Sequence, residues 1–294
     1  MSVPLEYNVG AFILTHGRPD NVLTYDLLKR AGFTGPVHIV IDNEDGRAAE
    51  YRQRFPSVLE FDKAAIARTF DTADLSDNRQ TVVFARNAVH QMAVDLGYSH
   101  YIEMDDDYDY LSTRFEVDGK LPYARLTDMN YAVNLTLDFL ETSGALTVAW
   151  AQGGDLIGGL QSTRWRTSLL RQAMNLFFIR ADRPVEFVGR INEDVNTYVT
   201  RGSRGELFFT SMHLILNQKD TQSQDGGMTS TYLDHGTYVK SFYSVMMAPS
   251  CVKVGAIKGA GRGTTRAARY HHQINWRHAV PLILSDRYRK DDPA

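Results

Sequence analysis

Residues 100–111 read HYIEMDDDYDYL, and three consecutive aspartates, Asp105, Asp106 and Asp107, close a short apolar run. Carboxylates at that density repel one another, so a chain that sets them beside a buried strand needs something to neutralise them. Alternate acids in Asp105-x-Asp107 aim oxygens into one crevice. A few hard oxygen ligands suit Mg2+ or Mn2+ whose shell is completed by substrate phosphates. An acidic surface turn would present the same letters, so the motif needs a setting. A second acidic group, Glu193-Asp194, opens the stretch NEDVNTYVTRG. Acids at that place favour a helix N-terminus. A third group is basic: Lys253 to Lys290 holds nine Lys or Arg against one acid, Asp286, a net of +8 that leaves −11 for the rest of a chain whose total is −3. Such a block suggests a polyanionic partner, with a solvated face as the plain alternative.

The elements that must position these groups are legible in outline. The 294 residues, 43% apolar and 11% aromatic, can supply the core of an ordinary globular protein. Apolar runs such as Val9 to Leu14 and Thr147 to Ala151 fall far short of the roughly 20 residues of a membrane span, so no membrane association is expected. A single cysteine, Cys251, excludes an internal disulfide and thiolate zinc sites, and suits a reducing cytoplasm.

NVGAFILTHGRP reads as an apolar strand breaking into a loop, RPDNVLTYDLLKRAGF as a helix ended by Gly32, and GPVHIVIDNED as a second strand ending in acids. DNRQTVVFARNAVHQMAVDLGYSHYIEMDDD predicts a helix capped by Asp77, with Val82, Ala85, Val89, Met92 and Leu96 on one face, and then the strand that runs into the aspartates. Strands alternating with helices predict an α/β fold with a mainly parallel sheet, whose ligands sit beyond the carboxyl ends of the strands. Thr15-His16-Gly17-Arg18, Asp42-Asn43-Glu44-Asp45 and the three aspartates would then line one edge. The second half is less regular: a helix over LTDMNYAVNLTLDFLETSG, a strand ALTVAWA, a glycine-rich GGDLIGGL, a short helix at NEDVNTYVTRG and an apolar ELFFTSMHLIL. Two polar or basic stretches, 217–231 and 258–272, read as surface loops or flaps.

Over residues 8 to 216 this order of motifs resembles the GT-A glycosyltransferases, and more narrowly the TET-associated glycosyltransferases of phages, relatives of the base J glucosyltransferases. The resemblance implies one GT-A-like domain over 1–294, with a Rossmann-type nucleotide-sugar half at about 8–110 and a less regular acceptor half at about 111–294. It implies transfer of a hexose, with inversion, from a nucleotide diphosphate sugar to a 5-hydroxymethylpyrimidine in DNA. UDP-glucose and UDP-GlcNAc are the donors it suggests, in a cytoplasm that is the host's if the chain is phage-encoded. Thr15, His16, Arg18, Asp42, Asn43, Arg86 and Asn87 would bind the donor. Asp105 and Asp107 would take the metal, with Asp106 facing the sugar or supporting a ligand. Asp194 would be the base, with Glu193 as its rival. A third metal ligand is implied among His235, His271 and His272, the latter two preferred. Lys258, Arg262, Arg266 and Arg269 are read as nucleic-acid-binding, interleaved with Tyr270, Trp276 and Tyr288, although Lys258 and Arg262 could instead close over the diphosphate. Arg164, Arg166 and Arg171 are the alternative basic face. The rival readings are a metal-dependent nuclease or phosphohydrolase, a non-catalytic DNA-binding module, and a glycosyltransferase with a non-DNA acceptor. The oligomeric state is left open.

Overall fold

The computed structural model describes residues 3–156, 158–167, 169–218, 229–258 and 268–279. Its first strand, β1 (Val9–Leu14), is buried at all six positions, as a strand covered on both faces must be. Helix α1 (Leu23–Arg30) returns the chain to β2 (Val37–Asp42), and Gly32, at φ 80°, takes the left-handed turn that ends the helix. Next come α2 (Ala48–Arg54), β3 (Val58–Phe61), α3 (Lys63–Ile66), α4 (Val83–Asp95) and β4 (His100–Asp105). β3, β2, β1 and β4 lie side by side in that order and are parallel throughout. This is the expected Rossmann-type half.

The second half extends the same sheet. It comprises β5 (Tyr108–Arg114), β6 (Tyr123–Arg125), α5 (Met129–Ser143), β7 (Thr147–Gln152), α6 (Thr163–Thr167), β8 (Leu169–Leu170), β9 (Phe177–Arg180), α7 (Glu193–Gly202) and β10 (Phe208–Gln218). β9 runs antiparallel between β4 and β7. β10 then lies parallel to β7 and antiparallel to β5, so antiparallel neighbours enter where the halves join. The side-chain alternation of β1 feeds two cores: Ile13 packs with Ile41, Met104 and Leu137 on one face of the sheet, and Phe12 with Val40, Phe84 and Val195 on the other. Beyond the sheet, α8 (Thr229–Met247) carries a hairpin of β11 (Val252–Lys258) and β12 (Ala268–Ile274), followed by α9 (Trp276–Ala279). No helix among the described residues is long and apolar enough to cross a membrane.

Two expectations need correction. Asp77 caps nothing: α4 begins six residues later, after Val82, with no side-chain cap. The residues α4 buries fully are Val83, Phe84, Arg86, Ala88, Val89 and Ala93; of the expected face, Val89 is buried, Val82, Ala85 and Met92 pack partly buried against the same core, and Leu96 is exposed. An apolar periodicity cannot find the buried Arg86. The stretches 219–228 and 259–267, which hold most of the two flap readings together with Arg262 and Arg266, lie outside the described residues, as do Arg287, Arg289 and Lys290.

Candidate active site

Because β1, β2 and β4 are parallel neighbours, their carboxyl ends open on one edge, and their polar residues meet there. His16 Nδ1 lies 2.8 Å from Asp42 Oδ2, the Gly17 amide donates to Asp45 at 2.8 Å, and Arg18 Nε donates to Asp106 Oδ2 at 2.8 Å. The Tyr51 hydroxyl, 3.0 Å from Thr15 Oγ1, also accepts the Arg18 amide. Lys63, buried at the end of β3, donates from Nζ to Asp42 at 3.1 Å and from its amide to Asn43 Oδ1 at 3.0 Å. Burial pushes the Asp42 carboxyl up, but the His16 hydrogen bond and the Lys63 ammonium outweigh it and hold the group below its usual range. Tyr51 and Lys63 are not among the expected edge residues, although the strand-end rule that singles out Asp42 and Asp45 applies equally to Lys63, two residues past β3.

The aspartate turn is pinned from α1. Thr24 donates its hydroxyl to the Asp105 carbonyl at 2.6 Å and its amide to the Asp106 carbonyl at 3.1 Å, while its oxygen accepts the Tyr108 amide at 3.0 Å. Asp106 is buried and turned back to Arg18. Asp105 and Asp107 are only partly covered. Burial first, then neighbouring carboxylates, pushes Asp105 up to about 6 and Asp107 to about 7. Asp107 Oδ1 is buried with no hydrogen-bond donor. Two crowded carboxylates with an orphaned oxygen, at the mouth of a strand-end crevice, fit a small hard cation that draws its remaining ligands from phosphates.

Arg86 does not line this mouth. With 2% of its side chain exposed, it lies beneath it, donating from Nη2 to Asp105 Oδ1 at 2.9 Å and from Nε to Glu193 Oε1 at 3.0 Å, with Nη1 3.9 Å from Glu103 Oε2. Its guanidinium packs over the Phe177 ring, 4.9 Å from the centroid. One buried cation therefore ties the aspartate turn to the first residue of α7. Glu103, deep in this cluster, is pushed by burial to about 8. Asn87 is also turned inward: its amide exchanges both hydrogen bonds with the Phe187 backbone at 2.9 Å, joining α4 to the approach to α7.

That approach is built by non-local contacts. Gly189 has φ 82°, and a Cβ there would meet Asn196 Nδ2 at 2.1 Å. Arg190 donates to Asp74 at 2.9 Å and to the Tyr243 hydroxyl at 2.7 Å, and Tyr243 bonds Asp74 in turn. Asn192 stands in the left-handed region, φ 59°, held there by donation from Nδ2 to the Lys240 carbonyl at 2.8 Å and to Ser244 Oγ at 3.3 Å. Glu193 then points inward to Arg86. Asp194, half-buried, is pushed up to about 7 by burial and by the charge of Glu193.

The histidines stand apart. The described residues include no group of three His, Cys, Asp or Glu that could hold a metal, so neither His271 nor His272 is brought to the aspartates. Both sit on β12, with rings 4.1 Å apart; His272 is cross-strand from Val254 and within the field of Lys240, and burial lowers its pKa to about 3. His235 lies on α8. The backbone places Lys258 and Arg269 near the paired ends of β11 and β12. On the alternative basic face, Arg164 is engaged by the buried Asp155.

Among solved structures, the chain is similar at 8% identity to glucosyl-3-phosphoglycerate synthase from Mycobacterium tuberculosis in complex with Mn2+, UDP and phosphoglyceric acid, over 90% of this chain and 89% of that one, TM-score 0.44. The same synthase with Mn2+, UDP and glucosyl-3-phosphoglycerate aligns at 7% identity over 92% and 87%, TM-score 0.43. CMP:2-keto-3-deoxy-manno-octonic acid synthetase with CTP aligns at 8% identity over 60% and 75%, TM-score 0.32. No curated protein matches the sequence. The family model for TET-associated glycosyltransferases matches residues 9–227, from the start of β1 past the end of β10. The matched span takes in the aspartate turn, Arg86 and the acid pair, and by it the chain belongs to the TET-associated glycosyltransferases.

Proposed function

We propose that this glycosyltransferase moves a hexose from a nucleotide diphosphate sugar, UDP-linked, to the hydroxyl of a 5-hydroxymethylpyrimidine in DNA. The observation that carries this reading is the Arg86 bridge: a single side chain contacts both Asp105 and Glu193, so the donor-side turn and the acceptor-side acids share one centre. Thr15, His16, Arg18, Asp42 and Asn43 form the edge that would meet the nucleotide. Asp105 and Asp107 would hold Mn2+ or Mg2+, which when bound supplies positive charge to the departing diphosphate.

The acceptor hydroxyl is a weak nucleophile until its proton is removed. Of the two acids, Glu193 is buried and spent on Arg86, whereas Asp194 is half-buried with a pKa of about 7, suited to taking a proton at neutral pH. In the step inferred, the hydroxyl oxygen bonds to the anomeric carbon, its proton passes to Asp194, and the bond to the diphosphate oxygen breaks with the electron pair leaving on the nucleotide. Attack opposite the leaving group inverts the anomeric centre. The buried Cys251 suits a reducing cytoplasm for this work. The test is incubation with Mn2+, a panel of nucleotide-sugars and hydroxymethylated or unmodified DNA, read by nucleoside mass. A hexose increment on the hydroxymethylated nucleoside alone is expected; strand cleavage, or sugar appearing only on other acceptors, overturns the reading.

A further inference from the structure

The match to the family ends at residue 227, yet α8 and the β11–β12 hairpin begin beyond it and form a surface of their own. Between them lies a groove of about 340 Å³ lined by Tyr238, Phe242 and Tyr270 together with Lys253, Val254 and Ala256 of β11. The three aromatic side chains are among the more exposed large apolar groups of the protein, at 51%, 40% and 54%. Their arrangement is a corner. Tyr238 and Phe242, one helical turn apart, present nearly parallel faces at 10°, and Tyr270 stands at 89° to Tyr238 with centroids 5.5 Å apart. A flat ring can lie against one wall while its edge meets the other, which a branched aliphatic side chain does less well.

The charge of the segment says which flat ring. From 229 to 279, the start of α8 to the end of α9, the sequence holds seven Lys or Arg against one acid, Asp234, and Lys253 lines the groove itself, so the occupant that suits it carries negative charge. Aromatic faces beside basic side chains are how proteins hold unpaired bases along a phosphate backbone. The opposite face of α8 grips Asn192 through the Lys240 carbonyl and Ser244, so only the width of a helix, roughly 10 Å, separates the groove from the Asp194 corner.

We propose that the corner of Tyr238, Phe242 and Tyr270 is a stacking subsite for one unpaired base of a nucleic acid strand, flanking the base that receives the sugar. The flanking role rests on the DNA-acceptor reading above; the stacking itself does not. The test compares binding of a short oligothymidylate with binding of an abasic strand of equal length and charge, using the full-length protein. Wild type is expected to bind oligothymidylate about 10-fold more tightly, the scale of one stacked base. Tyr270→Ala and Phe242→Ala should each erase that preference without changing abasic-strand affinity, and Tyr270→Trp should retain it. Equal binding of the two strands by wild type, or an undiminished preference in the alanine variants, overturns the subsite. Concentration-dependent self-association that the same variants abolish, with no base preference, also overturns it and assigns the corner to a second copy. Nucleoside mass measured in parallel keeps the two readings separate. A base preference lost in the variants, with no sugar on any DNA, removes the acceptor reading and leaves the subsite; sugar transfer with no base preference removes only the subsite.

Discussion

The two sides of the candidate site are built in opposite ways. On the strand-end side, neighbouring parallel strands deliver His16, Asp42 and Asp105 to one edge, where His16 meets Asp42 as adjacent strand ends readily allow. On the α7 side, nothing local places Asp194. Its corner is fixed by Arg86, which is 107 positions from Glu193, by Asp74, which is 116 from Arg190, and by α8, whose Lys240 is 48 from Asn192. Regular structure can position a group cheaply, whereas an irregular turn must be over-determined by side chains from elsewhere.

The comparison can be broken at several points. Asp107→Ala removes a proposed metal ligand from the regular side and should abolish transfer while the protein stays folded; Mn2+, which should raise the melting temperature of wild type by binding the folded state, should then no longer do so. A folded Asp107→Ala protein with undiminished transfer overturns the assignment. Arg86→Met strikes the link between the sides. Leaving Glu103, Asp105 and Glu193 buried without their cation should cost about 3–5 kcal/mol in denaturant unfolding, and a loss near zero would mean the cluster relaxes into water.

Asp194→Asn tests the irregular side alone. Turnover should fall by about 10²-fold, the scale of a lost general base, with donor affinity retained. Glu193→Gln should act chiefly on stability because its carboxylate is already committed to Arg86; if instead turnover falls with stability intact, the two acids exchange roles. Tyr243→Phe deletes the hydroxyl shared by Arg190 and Asp74 and should cost about 1 kcal/mol, read from the unfolding midpoint.

The effect that vanishes at neutral pH and grows only in acid is a pH dependence from His272. Its folded pKa of about 3 lies below the ordinary 6.5, so between those values the unfolded chain takes up a proton that the folded one refuses. Stability from this group is full above pH 6.5 and declines as the pH falls toward 3. His272→Gln should flatten that part of the profile, and an unchanged slope would place the imidazole in contact with water.

The same division explains what was legible in the sequence. β1, α1, β2 and the run into Asp105 could be read because an apolar strand, a helix and a glycine stop are local signals, and the strand-end rule then gave the site edge. Asp77 was misread for the opposite reason: the loop that contains it is fixed by distant contacts, with the Gly189 and Arg190 amides donating to Asp71 and Thr72 and the Arg190 side chain bonding Asp74. Arg86 is named only through the family resemblance, and its burial beneath the aspartates depends on Glu103 and Glu193, acids that no periodicity assigns to it. The family pattern drew attention to Glu193 and Asp194 without indicating that one is spoken for and the other available.

β9 has a consequence for the order of events as the chain is made. It is the strand that joins β4 to β7, and it does not exist until residue 180 has been synthesised. An N-terminal segment emerging from the ribosome can therefore pair β1 through β4 and close the edge around Asp42 early. The flank of β4 stays open through the following 70 or so residues, with Arg86 and Asp105 still hydrated. Glu193 can reach Arg86 only after β9 has docked, and the corner that carries Asp194 is complete only when α8 arrives to hold Asn192, so the site is assembled late and in steps.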